Sequence, residues 1–355
     1  MLITNINLQN FRNYKELNLK LNKGINIFYG DNAQGKTNII ESIFLCSIGR
    51  SFRTNKEKEV ITLGETFSKI NINYEKSDRT GCIKYEISDK KMIEINGIKI
   101  KKLSELLGNI NVVIFTPDDI NIIKGGPSGR RKFLDIMIGQ LKPAYVYNLN
   151  MYLSYLEQRN NYLKQIKLDN KSDQMLEIWD EKLAEYAEKV YNYRIKFINL
   201  IREKINYIHN NITENNETIE IDYISDYLDK NSFKKLLTSS KKNDILRGYT
   251  TKGVHKDDFV IKINTKLVSI YGSQGQHRTA ILTLKICELQ VIYEEIGEYP
   301  ILLLDDFMSE LDEKRRKSLL NYIKNIQVII TCTEKMNLDN LQYNSYHVKN
   351  GEIIL

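Results

Sequence analysis

Apolar and polar residues alternate in short runs over the first third of the chain. Leu2-Ile3-Thr4-Asn5-Ile6 and Leu17–Leu21 follow the two-residue period of a strand, and Ile25–Tyr29 is an apolar run of strand length. Thr37–Ile48 interrupts them with a segment that suits one helix. Strand-like runs return at Ile70–Tyr74, Ile83–Ile87 and Met92–Ile95. Asn96-Gly97 then predicts a tight hairpin into Ile98–Ile100, and Val112–Phe115 predicts a further strand closed by Thr116-Pro117.

The texture changes between Ser128 and Asn210. Leu149, Leu153, Leu156 and Leu163 recur on one helical face. After a polar break at Asp169–Asp173, the residues Leu176, Trp179, Leu183, Tyr186, Val190, Phe197, Ile201, Ile205 and Ile208 advance mostly in steps of three and four. That pattern predicts an antiparallel helical hairpin whose second helix is roughly 50 Å long at about 1.5 Å per residue. Its tyrosine-rich stripe is read as packing. The polar stretch Asn210–Glu217 closes the region. From about residue 248 the α/β pattern resumes: a strand at Phe259–Ile263, a helix over Gln274–Ile296, a strand at Ile301–Leu304, a helix over Glu313–Lys324 and a strand at Val328–Ile330. Tyr346–Lys349, Asn350-Gly351 and Glu352–Leu355 predict a terminal hairpin. The expected division is an α/β lobe formed by 1–120 plus 248–355, with an α-helical insertion over 121–247.

Composition narrows the class. The 355 residues are 42% hydrophobic and 27% charged, which suits a soluble globular chain with a sizeable core. Apolar runs are strand-sized, so no membrane span is expected, nor is a signal peptide before the opening strand. Cys46, Cys82, Cys287 and Cys332 form no CxxC pair, which argues for reduced cytoplasmic thiols rather than a zinc or disulfide framework. The net charge of +7, from 52 Lys+Arg against 45 Asp+Glu, leans only slightly toward a polyanionic partner.

The motifs say more. Gly30, Asp31, Asn32, Ala33, Gln34, Gly35, Lys36 and Thr37 fit GxxxxGK[ST] between an apolar strand and a helix, the context a P-loop requires. Its glycines let backbone N–H groups turn inward around phosphates. Lys36 is placed for the β- and γ-phosphates of ATP and Thr37 for Mg²⁺. Ile301–Leu304 followed by Asp305-Asp306 has the Walker B pattern, a buried strand delivering acid beside the nucleotide. Asp305 would hold Mg²⁺, and Asp306 would orient or deprotonate the attacking water. Between these two, Ser273, Gly275 and Gln276 open the helix Gln274–Ile296. A serine N-cap followed by glycine leaves helix N–H groups open to an anion. Lys36, Asp305 and Asp306 are thus the candidate catalytic residues.

The order P-loop, inserted helices, S-x-G-Q, Walker B and then Ser309-Glu310-Leu311-Asp312 resembles the ABC/SMC-type ATPase head: α/β, with an inserted helical lobe and no long coiled coil. Within that group several strings resemble the RecF family. They are Asn10-Phe11-Arg12-Asn13-Tyr14, Asn38–Ile43 after the P-loop, Gly49-Arg50-Ser51-Phe52-Arg53-Thr54, Phe115–Ile120, Gly129–Asp135 and Gly253-Val254-His255-Lys256-Asp257-Asp258. The chain departs at Lys256, where the family usually has Arg. The resemblance implies a DNA-repair factor that acts with RecO and RecR to place RecA on gapped single-stranded DNA, and that supports replication and the SOS response. It implies head-to-tail dimers around ATP, with Ser273 and Gly275 serving the γ-phosphate held by the other copy. Thr331-Cys332-Thr333 stands where ABC ATPases carry a switch histidine, and either threonine is a candidate. Asp306, one methylene shorter than the usual Glu, implies slow turnover and a switch rather than a motor.

Lys124, Arg130, Arg131 and Lys132 around Gly125-Gly126-Pro127 are candidates for the DNA backbone, with a solvated helix start as the alternative. Arg50 and Arg53 are candidates for phosphate or DNA, again against ordinary surface arginines. His255 has no second histidine near it in sequence and reads as structural or close to the nucleotide. Three other readings share the nucleotide motifs: the ATPase subunit of a membrane transporter, a true SMC-type protein, against which the chain has room only for a short hairpin between the motifs, and a P-loop interaction platform that has lost hydrolysis.

Overall fold

The computed structural model describes residues 1–169, 172–338 and 341–354. Asn170 and Lys171 of the expected polar break, and Leu355 of the expected last strand, lie outside them. The chain divides into two compact units: 1–120, 211–214 and 281–355 form the first, and 121–210 with 215–280 form the second.

The first unit holds two six-stranded sheets. Strands β1 (Leu2–Phe11), β2 (Tyr14–Lys20), β4 (Ser68–Glu75), β5 (Thr80–Ile87), β6 (Lys91–Ile95) and β7 (Ile98–Lys99) pair antiparallel in the order β2-β1-β4-β5-β6-β7. The second sheet runs β15-β14-β3-β13-β12-β8. Its strands β3 (Ile25–Tyr29), β8 (Val112–Phe115), β12 (Ile301–Asp305), β13 (Val328–Cys332) and β14 (Tyr343–Lys349) are parallel, and β15 (Glu352–Ile354) is an antiparallel edge. Strands β12 and β13 are buried along their whole length, as strands covered on both faces must be. Helix α1 (Lys36–Ile48) packs against both sheets. That explains why Ile39, Ile40, Ile43, Phe44, Leu45, Cys46 and Ile48 leave it no polar stripe. The hairpins expected at Asn96-Gly97 and Asn350-Gly351 both form, each with two successive positive φ angles (52° and 80°, 51° and 74°). Helix α9 (Glu313–Tyr322) follows β12.

The second unit is built on α3 (Pro127–Leu141), α4 (Pro143–Asp169) and most of α2 (Ile120–Lys124) and α5 (Leu176–Thr213), whose first residue and last turn respectively fall in the first unit. Tyr162 meets Trp179, Tyr155 stacks on Tyr186 and Tyr145 meets Tyr193. The partner number rises as the first falls, so α4 and α5 run antiparallel, as their periodicity predicts. Tyr145, Tyr152 and Tyr191 are buried, so much of the tyrosine stripe is packing.

The insertion is not purely helical, however. Strand β9 (Ile219–Ile224) pairs with β10 (Asp258–Ile263), and β10 with β11 (Lys266–Leu267). Helices α6 (Lys230–Arg247) and α7 (Val268–Tyr271) belong to the same unit. The boundary therefore falls at 280/281 instead of near 248, because β10 finds its partner in β9 and in neither large sheet. Helix α8 (Gln274–Ile296) begins in the second unit and ends in the first.

The Gly253–Asp258 string turns out to be a polar hub of the second unit. The Tyr152 hydroxyl donates to His255 Nδ1 at 2.6 Å, and His255 Nε2 donates to the Thr250 carbonyl at 3.1 Å. Burial lowers the imidazole pKa to about 4, so the ring is neutral near pH 7. Asp257 accepts from the hydroxyls of Tyr223, Ser225 and Tyr227, and Asp258 from Arg130. These residues spend their hydrogen bonds on the unit itself.

Candidate functional site

Ligands of open parallel sheets bind beyond the carboxyl ends of the strands. There the first unit gathers its motif residues. Strand β13 lies between β3 and β12, so the loop after β3 and the acid ending β12 start roughly 10 Å apart, two strand spacings. Helix α1 closes that gap: Thr37 in its first turn donates its hydroxyl to Asp305 Oδ1 at 2.7 Å. Thr331, next to Asp305 in register, donates to the same oxygen at 2.8 Å and accepts from the Asp306 N–H at 3.0 Å. Asp306 itself has φ 48°, a left-handed conformation that Asp tolerates better than most residues.

The P-loop crest, Asp31, Asn32 and Ala33, is exposed, whereas Gly30, Gly35 and Lys36 are buried. The Lys36 ammonium donates to the carbonyls of Gly30 and Asp31 at 2.6 and 2.7 Å. No side chain caps the N-terminus of α1, which leaves its first N–H groups to an anion. Gly30 and Gly35 are required on two counts. Their φ angles are 145° and 116°, and a Cβ would stand 2.3 Å from the Val348 carbonyl oxygen at Gly30 and 2.7 Å from the Asn13 side-chain amide at Gly35.

That second contact identifies residues whose part the sequence did not disclose. The two-residue turn Arg12-Asn13 between β1 and β2 clamps the loop. Asn13 Nδ2 donates to the Gln34 carbonyl at 2.8 Å, Tyr14 donates to the Gly35 carbonyl at 3.1 Å, and Asn38 donates to Asn13 Oδ1 at 2.7 Å. From the other side, the terminal hairpin turn donates Asn350 N–H to Gln34 Oε1 and Gly351 N–H to the Gln34 carbonyl. Glu41, fully buried in α1, receives a two-point bond from Arg12 (2.9 and 2.6 Å) and further bonds from Ser51 (2.5 Å) and Arg53 (3.3 Å). The Asn10–Tyr14 and Gly49–Thr54 strings are therefore braces of the P-loop helix. The turn residues between two alternating strands were the signal available in the sequence, and it carried no indication of what the turn grips.

The oxygen donors Thr37 and Asp305 fit a hard divalent cation. Burial raises the Asp305 pKa, and the two hydroxyl hydrogen bonds, which lower it, offset only part of that. A desolvated carboxylate whose neighbours are hydroxyls is a fitting partner for Mg²⁺. Thr333, just beyond β13, is exposed, while Thr331 is buried against Asp305.

The remaining candidates lie in the second unit. Ser273 and Gln274 are exposed at the start of α8. Gln276 N–H donates to Ser273 Oγ at 3.2 Å, and Gln276 Oε1 accepts from the Ser273 N–H at 2.8 Å, a capping box. Lys124 and Lys132 are exposed. Arg130 makes a two-point ion pair with Asp258 (2.6 and 2.9 Å) and donates to the Gly125 carbonyl, and Arg131 donates to the Asp257 carbonyl. The sequence offered Arg130 to DNA, but the fold uses its guanidinium to fasten α3 to β10.

Gly35→Ala is expected to weaken ATP binding at least about tenfold, because the left-handed backbone and the Asn13 contact must both give way. Titration with a fluorescent ATP analogue measures it, and parent-like affinity would show that the loop absorbs a methyl group.

Comparison with known proteins agrees with this architecture. Residues 2–352 match the family described as RecF/RecN/SMC N terminal domain. A protein of Clostridium novyi (strain NT) named "DNA replication and repair protein RecF" is 45% identical, with 98% of this chain and 97% of that protein aligned. Its namesake in Acetivibrio thermocellus is 44% identical over 97% and 96%. Among solved structures, that of the "recombination mediator protein RecF-ATP in RecFOR pathway" superposes with a TM-score of 0.93 at 38% identity, covering 99% of this chain and 96% of that one. An Smc head domain from Pyrococcus furiosus shares the fold at a TM-score of 0.59 and 15% identity, covering 99% and 95%. No helix among the described residues is long and apolar enough to cross a membrane. With a relative 45% identical over nearly its whole length and a family match spanning both units, the chain belongs to the RecF family.

Proposed function

We propose that this protein is an ATP-dependent, DNA-binding factor of recombinational repair that works as a slow Mg²⁺-dependent ATPase switch. The observation that carries this reading is the convergence of Lys36, Thr37, Asp305 and Asp306 at the carboxyl end of the parallel sheet, with Thr331 joining the two acids. Lys36 and the N–H groups at the start of α1 bind the β- and γ-phosphates. Thr37 and Asp305 would hold Mg²⁺, which when bound would supply neutralisation of phosphate charge. Asp306 orients the attacking water, and its short side chain favours slow turnover. Thr333 takes the place of the switch histidine, since Thr331 is occupied with the Walker B pair.

In this reading two copies pair head to tail. Ser273 and Gly275 of one copy address the γ-phosphate held by the other, so ATP joins the copies and loss of the γ-phosphate releases them. The pair binds gapped duplex DNA, with Lys124 and Lys132 as backbone contacts, and acts with RecO and RecR to help load RecA at single-strand gaps, supporting replication and the SOS response. The relatives' names, a DNA replication and repair protein and a recombination mediator of the RecFOR pathway, support the repair part of this reading; the dimer, RecA loading and the SOS response are what the family resemblance implies.

The test is fluorescence anisotropy of gapped duplex DNA titrated with the protein and Mg²⁺, with and without ATP. Tighter binding with ATP that is lost in Lys36→Met is the expected result. Binding that ignores ATP, or none at all, would overturn the DNA-switch reading and favour a static interaction platform.

A further inference from the structure

The capping box at Ser273 depends on which way one amide points. Gln276 accepts from the Ser273 N–H through Oε1, and its Nε2 donates to Glu217 Oε1 at 2.8 Å. An ionised carboxylate only accepts, so Glu217 fixes the amide with its oxygen toward Ser273. The opposite face would set an NH₂ group against the Ser273 N–H, donor against donor. The other carboxylate oxygen, Oε2, accepts from Nε2 of His209, which is fully buried on α5, at 3.3 Å.

The main chain around Glu217 is fixed as firmly. Glu214 and Asn215 hold positive φ angles of 57° and 61°, which turn the chain back after α5. Thr218 N–H and Oγ donate to Asn264 Oδ1 at 3.0 and 3.2 Å, and Ile219 N–H donates to Asn206 Oδ1 at 3.0 Å. Glu217 thus directly precedes two anchored residues, Thr218 and Ile219, and has both carboxylate oxygens engaged.

We propose that Glu217 is a positioning residue for the S-x-G-Q signature: it sets the Gln276 amide, which holds Ser273 in the orientation that receives the partner copy's nucleotide. This rests on the head-to-tail reading above. Three properties test it: ATP-driven dimerisation by sedimentation velocity, binding of a fluorescent ATP analogue by the dilute monomer, and the thermal midpoint.

Glu217→Ala is expected to raise the protein concentration needed for ATP-driven dimers about tenfold, the scale of one hydrogen bond to a charged group, with analogue binding unchanged. Gln276→Glu sets two carboxylates together and should do at least as much. The exchanged pair E217Q/Q276E reverses donor and acceptor and should recover most of the loss, which general damage to the fold would not allow. If Glu217→Ala lowers the thermal midpoint, the exchanged pair decides alone.

Parent-like dimerisation of a folded Glu217→Ala, or no recovery in the exchanged pair, overturns the proposal so long as Ser273→Arg abolishes dimers. Should Ser273→Arg also dimerise normally, the head-to-tail reading fails instead.

Discussion

Asp305→Asn should lower ATP turnover by on the order of 10²–10³-fold while leaving the protein at least as stable as the parent. Asparagine keeps the shape and the Oδ1 acceptor used by Thr37 and Thr331, so the local packing survives. What disappears is the negative charge, and that charge has two opposite effects. It is unfavourable to the empty fold, because burial raises the Asp305 pKa and the two hydroxyls compensate only in part. It is essential to the proposed reaction, because a neutral amide would hold Mg²⁺ far less well.

The sign of the pH dependence follows. A folded pKa above the unfolded one means that the unfolded chain releases this proton first as pH rises. The carboxyl group favours the fold while protonated, and that contribution is lost as pH rises through the folded pKa. In Mg²⁺-free buffer the thermal midpoint of Asp305→Asn should therefore exceed the parent's near neutrality, and the difference should shrink at acidic pH. Added Mg²⁺ should raise the parent's midpoint more than the variant's. Phosphate release gives the rate and thermal melts give the stability. Parent-like turnover in the variant would remove Asp305 from the metal-binding role.

Ser273→Arg should abolish ATP-driven dimers, weakening association by at least about 10²-fold, because a bulky cation placed in a close interface costs several kcal/mol. Binding of ATP by the monomer should not change, since the P-loop and its braces all belong to the first unit and Ser273 to the second. Sedimentation velocity with ATP separates the two readouts. The substitution also removes an N-cap, an effect of about 1 kcal/mol on the helix. Ser273→Asn, which can cap, should therefore fold like the parent and serve as the control. Dimers that form normally in Ser273→Arg would rule out a role for the signature across the interface.

Much of this molecule follows from local chemistry. A GxxxxGK[ST] string between an apolar strand and a helix needs no tertiary information, because the phosphate-binding geometry is written in glycines that only left-handed backbone requires. Four apolar residues before Asp305 announce a strand buried on both faces, and the two Asn-Gly turns announce hairpins through their own φ preferences. The steps of three and four over Leu176–Ile208 fix a helix and its buried face, and helix α5 indeed runs from Leu176 to Thr213.

Other features had no local signal. Strand β9 and helix α6 went unread because Ile219–Ile224 is short and flanked by polar residues; it becomes a strand through pairing with β10, 34 residues beyond its end. That pairing also moved the boundary between the units. Whether a cation serves a ligand or the fold is likewise a question of partners. Arg130 reads like Lys124 and Lys132 in the sequence, yet Asp258, 128 residues away, claims it. Thr331 and Thr333 were equivalent until β13 took its place beside β12 and turned one hydroxyl onto Asp305.

The sequence by itself thus determined the nucleotide chemistry and most of the elements that carry it, since both rest on backbone preference and periodicity within a few residues. Only the tertiary structure decided what braces the P-loop, where the two units divide and which polar side chains remain available, because a hydrogen bond between distant residues is set by the packing that brings them together.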